Sequence, residues 1–371
     1  MIMKILHTAD LHLDSPFAGL DISRAERRRR EMRETFSRMM RFAGEAEVDM
    51  VVIAGDLFDS AFVTRETVSL ICREFASLSC PVVIAPGNHD PYTAGSVWEK
   101  TPFSENVHVF KSGELEKISF DSLSCDVYGY AFTSAYETEC RVAGSVEDSE
   151  KINILVAHAD VSSPISRYAP LPAAVIRSFG ADFAALGHVH NPEATEALLK
   201  GCGAYCGCPE GRDFGECGEK GALVVEIDGD SVRVEPVRFS KRIYEVHSVS
   251  VDGAEDTGAV NAAIDNCIRE NGEGEEHLVR IILTGSVSPS LVINTSSLSE
   301  NTRGLFHLEI EDATSPTWNA SLLSNDRGIR GELYRTLLPD LESEDGEKRK
   351  TAALALRYGL AALAGDDISD I

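Results

Sequence analysis

The sequence predicts a layered α/β fold, with β-sheets flanked by helices, then a smaller α+β C-terminal domain and a helical tail. Three observations predict it. From Met1 to about Phe239, short apolar runs bounded by Gly or Pro alternate with stretches of helical periodicity. Five of those runs end in a polar cluster rich in Asp, Asn and His. Beyond Arg242 such clusters disappear and the texture changes.

The elements follow in order. Ile5-Leu6 leads into Asp10-Leu11-His12. A helix is expected over 24–46, where Met32, Phe36, Met39, Met40 and Ala43 recur at helical spacing. The run 50–54 leads into Gly55-Asp56-Leu57-Phe58-Asp59. A second helix is expected over 64–78, carried by Val68, Ile71, Cys72, Phe75 and Ala76. The runs 81–85, 152–157 and 183–186 lead into Gly87-Asn88-His89-Asp90, His158-Ala159-Asp160 and Gly187-His188-Val189-His190. Runs of this kind read as buried strands, so five strand ends are expected to deliver polar side chains to one edge of a sheet. Residues 221–227 and 231–234, joined through Asp228-Gly229-Asp230, read as a β-hairpin. A strand over 244–251, a helix over 256–270 and a strand over 278–283 make the smaller domain. Helices are expected over 331–338 and 349–364, with Gly365 as a C-terminal stop. The expected domains are 1–241, 242–325 and a helical segment 326–371.

Bulk properties bound the function. The 371 residues are 43% hydrophobic and 26% charged, as in an ordinary globular protein. No apolar stretch reaches the ~18 residues of a membrane span. The opening runs at once into a strand and lacks the features of a signal peptide, so the cytoplasm is the expected compartment. Among the nine cysteines, Cys202, Cys206, Cys208 and Cys217 crowd one segment. Their spacing matches no common zinc pattern, and they read as reduced thiols in a loop. The formal net charge of -25 gives little support for a broad, unaided grip on nucleic acid. The strongest local basic feature is Arg24, Arg27, Arg28, Arg29, Arg30 and Arg33, either a solvated helix face or a DNA contact.

The polar clusters carry the chemistry. Mixed carboxylate, amide and imidazole ligands point to Mn²⁺, Fe²⁺ or Zn²⁺ rather than to Ca²⁺ or an all-thiolate site. A carboxylate can bridge two such ions, and a metal pair can clamp a phosphate and lower the pKa of water from ~15.7 toward ~7. A nearby histidine that does not ligate can serve the phosphate or the leaving group.

The order D-x-H, G-D-x-x-D, G-N-H-D, H, G-H-x-H resembles that of the calcineurin-like metallophosphoesterases. The opening from Leu6 to Phe17 is similar to the SbcD/YhaO-type DNA-repair exonuclease branch. Tyr205-Cys206-Gly207-Cys208-Pro209-Glu210 and the segment 221–226 also look like that family after its last motif. The motif resemblance covers about residues 1–240. It implies a layered metallophosphoesterase fold with an α+β cap domain. It implies that Asp10, His12 and His190 hold one metal, that Asn88, His158 and His188 hold the other, and that Asp56 bridges both. His89 would act on the phosphate or leaving group, with Asp90 as its supporting partner. Members usually work with two Mn²⁺ on DNA, beside a coiled-coil ABC-type ATPase, and are often dimers. One departure concerns Asp59: archaeal and eukaryotic relatives place a histidine there, followed by Pro-Ser, where this chain has Ser60-Ala61-Phe62. That leaves the polarity of cleavage open. The motifs equally admit a small phosphoester as substrate.

Overall fold

Side-chain alternation along the apolar runs builds the layers. In the computed structural model, which describes residues 2–60, 63–288, 291–317 and 320–364, the chain divides into two compact units, Met1–Ile243 and Tyr244–Ile371. Ala61, Phe62 and Gly365 lie outside the described residues.

In the first unit the strands are β1 (Met3–Thr8), β2 (Met50–Ile53), β3 (Val82–Ile84), β4 (Val107–Val109), β5 (Glu116–Phe120) and β6 (Cys125–Gly129). They continue as β7 (Ile152–His158), β8 (Phe183–Gly187), β9 (Gly203–Tyr205), β10 (Gly221–Asp228) and β11 (Ser231–Arg238). The helices are α1 (Ile22–Glu45), α2 (Arg65–Ala76), α3 (Val97–Lys100), α4 (Ala173–Phe179) and α5 (Glu196–Leu199). Two sheets form, ordered β11-β10-β1-β2-β3-β4 and β5-β6-β7-β8-β9. Strands β1 to β4 pair in parallel, as do β6 to β9.

Each strand supplies two cores, because successive side chains point to opposite faces. From β1, Leu6 joins Phe36, Met39, Phe75, Val51 and Ile53 beneath α1 and α2, whereas Ile5 joins Val52, Val83, Ile154 and Val156 between the sheets. From β7, Leu155 and Ala157 join Ile176 and Phe179 of α4 on the far side. The order of layers is therefore helix, sheet, sheet, helix. The strands are buried on both faces, and this is why their sequences run apolar without alternation. One expectation is corrected here: the five polar clusters end strands of two sheets, β1, β2 and β3 in one and β7 and β8 in the other. Apolar runs in sequence do not say which strands pair.

Local signals set the helix starts. Asp21 and Thr64 cap α1 and α2, their side chains accepting the backbone N–H of Arg24 and Thr67. The arginine run does not form one solvated face. Arg28 is fully buried, bonded to Glu31 and Glu210 at 2.9 Å each.

In the second unit a sheet of β12 (Ile243–Ser250), β13 (His277–Thr284) and β15 (His307–Asp312) packs on α6 (Thr257–Asn271), through Val260, Ile264, Ile268, Ile281 and Leu308. β14 (Ser286–Val287) and β16 (Ser315–Pro316) form a small parallel pair, and α7 (Thr295–Glu300) precedes β15. Helices α8 (Ala320–Asn325), α9 (Ile329–Leu341) and α10 (Gly346–Ala364) follow within the same unit. Arg357 of α10 is tied to the Leu291 carbonyl and to Asp312. Among the described residues no helix is long and apolar enough to cross a membrane.

Candidate metal centre

The site begins with backbone turns that close each strand. Asp10, His12, Asp56 and His188 all have positive φ, between 43° and 104°. L-residues rarely hold that conformation, and such strain concentrates at functional sites. It is held in place by neighbouring strand ends: Asp10 N–H donates to Gly55 O at 3.0 Å, and His12 N–H to Asp56 O at 2.9 Å. The motif glycines permit close approach. A Cβ on Gly55 would fall 2.2 Å from His158 Nδ1, and one on Gly87 would fall 2.2 Å from Asp56 Oδ1.

Within this frame Asp10, His12, Asp56 and His158 converge, each 0–2% exposed, with His190 beside them. His190 Nε2 lies 3.4 Å from Asp10 Oδ1 and 3.4 Å from His12 Nε2. His158 Nε2 lies 3.4 Å from Asp56 Oδ2 and 2.9 Å from Asn88 Oδ1. His12 Nε2 lies 3.6 Å from Asp56 Oδ2. Asp10 and Asp56 thus each face imidazoles from both sheets. His188 stands apart: its ring stacks near Tyr168 at 4.7 Å and near His158 at 5.3 Å, while its backbone N–H donates to both Asp10 oxygens.

Among the described residues, three groups of side chains lie close enough to hold an ion: Asp10, His12 and His190; Asp10, Asp56 and His158; and His12, Asp56 and His89. The donor set fits borderline divalent metals. The electrostatics fit as well. Burial opposes ionisation of Asp56 and Asp10, yet the adjoining histidines hold both carboxyls below their usual range. Burial also disfavours charge on His158 and His190, but the carboxylates overcome it and raise these imidazoles to about 9 and about 10. The cluster therefore demands cationic charge, which protons supply when no metal does. His188 is pushed the other way, to about 4, by burial and by the charge of His158.

Supporting contacts set the tautomers. His158 Nδ1 donates to Ala54 O at 3.0 Å, so Nε2 faces the carboxylates. His190 Nδ1 meets Glu216 Oε1 at 2.6 Å, and His12 Nδ1 lies 3.3 Å from Asp59 Oδ1. Arg212 joins these two carboxylates, at 2.8 Å from Glu216 and 3.2 Å from Asp59. Carboxylates behind ligand imidazoles orient them and raise their basicity. Asp59 occupies such a position beside His12. Glu216 and Arg212 were not singled out in the sequence, because they lie in an irregular stretch between β9 and β10 with no strand before them.

His89 is exposed at the mouth, its ring perpendicular to that of His12 at 4.7 Å. Its Nδ1 lies 2.9 Å from Asp59 O. Its backbone N–H donates to Asp56 Oδ1. Asp90 does not reach the His89 ring by any hydrogen bond in the structure. Its carboxylate accepts Gly87 N–H at 2.7 Å and Phe58 N–H at 3.0 Å, bracing two ligand loops against each other. The crowded cysteines are free thiols, with Cys202, Cys206 and Cys208 buried and Cys217 exposed. No thiol enters a metal-binding group among the described residues.

Residues 3–192 match the calcineurin-like phosphoesterase family. The chain belongs to that family. Metallophosphoesterases bind two divalent metals, and the Asp and His groups above are able to hold them. Similar curated proteins agree. The uncharacterized metallophosphoesterase YhaO of Bacillus subtilis (strain 168) is 27% identical over 297 residues, 76% of this chain and 72% of that protein. One component of the nuclease SbcCD of Staphylococcus epidermidis is 25% identical, over 67% of this chain and 73% of its own. The DNA double-strand break repair protein Mre11 of Methanopyrus kandleri is 25% identical, over 74% and 73%.

Proposed function

We propose that this metallophosphoesterase is a two-metal-dependent DNA exo/endonuclease that hydrolyses phosphodiester bonds in DNA repair. The observation that carries the reading is the convergence of Asp10, His12, Asp56, Asn88, His158 and His190 from strand ends of both sheets, in a chain similar to proteins named for a nuclease and for break repair. Asp10, His12 and His190 would hold one ion and Asn88, His158 and His188 the other, with Asp56 shared between them. Mn²⁺ is the proposed metal. Two bound divalent ions supply charge neutralisation at the phosphoryl oxygens and an acidified water at neutral pH.

The chain's own residues do the rest. Asp59 and Glu216 hold His12 and His190 with Nε2 toward the centre. Asp90 keeps the Asp56 and Asn88 loops in register. His89 stands outside the ligand set with Nε2 facing the substrate, where it donates a hydrogen bond or a proton to the leaving oxygen. A coiled-coil ABC-type ATPase is the proposed partner, a homodimer the proposed assembly and the cytoplasm the proposed compartment, each by family resemblance.

A second reading, hydrolysis of a small phosphoester, is favoured by the net charge of -25 and by Asp160 and Asp213 at the mouth beside His188 and His190. A Mn²⁺ activity panel separates the two. Linear duplex, hairpin and single-stranded DNA are compared with simple phosphate mono- and diesters. Metal-dependent degradation of linear DNA, lost on chelation, is expected. Cleavage of simple esters with DNA untouched over a range of salt would replace the nuclease reading with the second one.

A further inference from the structure

We propose that the groove between α1 and α2 is a docking track for the phosphodiester backbone of DNA, away from the phosphate being cut. It rests on the nuclease reading above. The groove has a volume of about 400 Å³ and gathers Arg30, Arg33, Arg38 and Arg41 from α1 and Arg73 from α2. Glu34 and Glu66 are the acidic residues on its walls. Glu34 is engaged by Lys241 at 2.9 Å, and Glu66 by Arg33 at 3.3 Å. In a chain with 60 acidic and 35 basic residues, so local a basic excess is unlike its surroundings.

The arginines are available for a ligand. Arg30 and Arg41 are exposed and have no hydrogen-bonding or ionic partner among the described residues. Arg73 is 67% exposed and, among the described residues, its side chain pairs only with its neighbour Glu74, at 3.1 Å. Pairing of that kind is weak and exchanges readily for a phosphate. The others are anchored. Arg38 is held by the Phe239 carbonyl and Thr35, and Arg33 by Asp14 at 3.2 Å. Arg38 thus presents a guanidinium fixed by neutral partners, as phosphate recognition requires, whereas Arg33 is engaged by Asp14 and Glu66 and forms the wall of the groove.

Length and direction suit a nucleic acid strand better than a single phosphate. Arg30 and Arg41 are separated by ~16 Å of helix at 1.5 Å per residue. Duplex DNA advances ~3.4 Å along its axis per phosphate of each strand, and the phosphates of one strand lie further apart than that because it spirals, so the track runs past more than one phosphate. At one end Asp14 accepts from Arg33, from Thr64 N–H and from Thr67, and Asp14 lies two residues beyond His12. The track therefore starts at the loops that carry His12 and Asp59. The mouth beside His188 and His190 is instead lined by Asp160 and Asp213, which repel a polyanion. Together these charges orient a strand across the α1–α2 side.

The test uses the full chain and a labelled linear duplex, with chelator present to prevent cutting. Binding is measured from ~50 to ~200 mM salt for wild type, Arg30→Ala/Arg41→Ala and Arg30→Lys/Arg41→Lys. Hydrolysis of bis(p-nitrophenyl) phosphate with Mn²⁺ reports whether each variant is folded, and the single variant Arg41→Gln replaces the alanine pair if it is not. Losing two phosphate contacts lowers the salt slope by about 2 and weakens binding on the order of tenfold. The lysine pair keeps the wild-type slope. An unchanged slope in the alanine pair, with wild type cutting DNA, overturns the track and leaves the nuclease reading standing. A wild type that neither binds nor cuts DNA, yet cleaves the diester, overturns both.

Discussion

Glu216 is predicted to govern metal affinity without touching a metal. The perturbation is Glu216→Gln. In the wild type, Glu216 Oε1 lies 2.6 Å from His190 Nδ1 and 2.8 Å from Arg212, and burial is outweighed by these partners so that the carboxyl stays well below its usual range. Glutamine keeps an acceptor for His190 but removes the negative charge. That charge is buried, with Glu216 6% exposed, so water does little to screen it. Removing carboxylates behind ligand imidazoles typically costs 10–100-fold in metal affinity or activity, or about 1.4–2.8 kcal/mol. Arg212 would then lie 3.2 Å from His190 Nδ1 with less negative charge nearby, which also disfavours a cation there. The assay is calorimetric Mn²⁺ titration, with phosphodiester hydrolysis followed against Mn²⁺ concentration. One of two binding events should weaken by 10–100-fold, with activity returning at high Mn²⁺. Two unweakened events, or lost activity that excess metal does not restore, would show that Glu216 does not act through His190 on the metal.

Two further predictions follow from the geometry. His89→Ala should lower hydrolysis by ~10²–10⁴-fold while both metals stay bound, measured as turnover beside metal content; wild-type turnover would remove His89 from its role. Glu31 is held at about 2 because Arg242 and Arg28 outweigh the effect of burial. Its folded value lies below its ordinary 4.5, so its contribution to stability is present above that value and is lost as pH falls toward about 2. Glu31→Gln should therefore destabilise the protein by about 3 kcal/mol at neutral pH, and the gap from wild type in denaturant unfolding should close between pH ~5 and ~2. A gap independent of pH would contradict the assignment.

Much of this architecture is legible in the sequence, for physical reasons that can be named. Strands buried on both faces show as unbroken apolar runs, and α1 and α2 show as periodic stretches, whereas the caps Asp21 and Thr64 emerge only from the backbone N–H groups they accept. The motif glycines are visible because a Cβ at Gly55 or Gly87 would collide with the side chains they cradle. The partition of strands into two sheets is not legible, since β3 and β7 read alike and pairing is a long-range property. Glu216 and Arg212 are hidden because they act from irregular chain, where no period marks a side chain's direction. Arg28 misleads in the opposite sense. It looks like one more member of a solvated run, yet it is buried and bonded to Glu31 and Glu210. Burial of an arginine depends on partners distant in the chain, here Glu210 beyond the last motif.

The central claim is a centre for two metals with Asp56 shared between them. Its most direct test is the metal content of the purified chain after Mn²⁺ loading and removal of free ion, compared with Asp56→Asn. The wild type should retain two ions per chain and the variant should lose metal. A wild type that retains no metal, or a variant that retains as much as wild type, would contradict it.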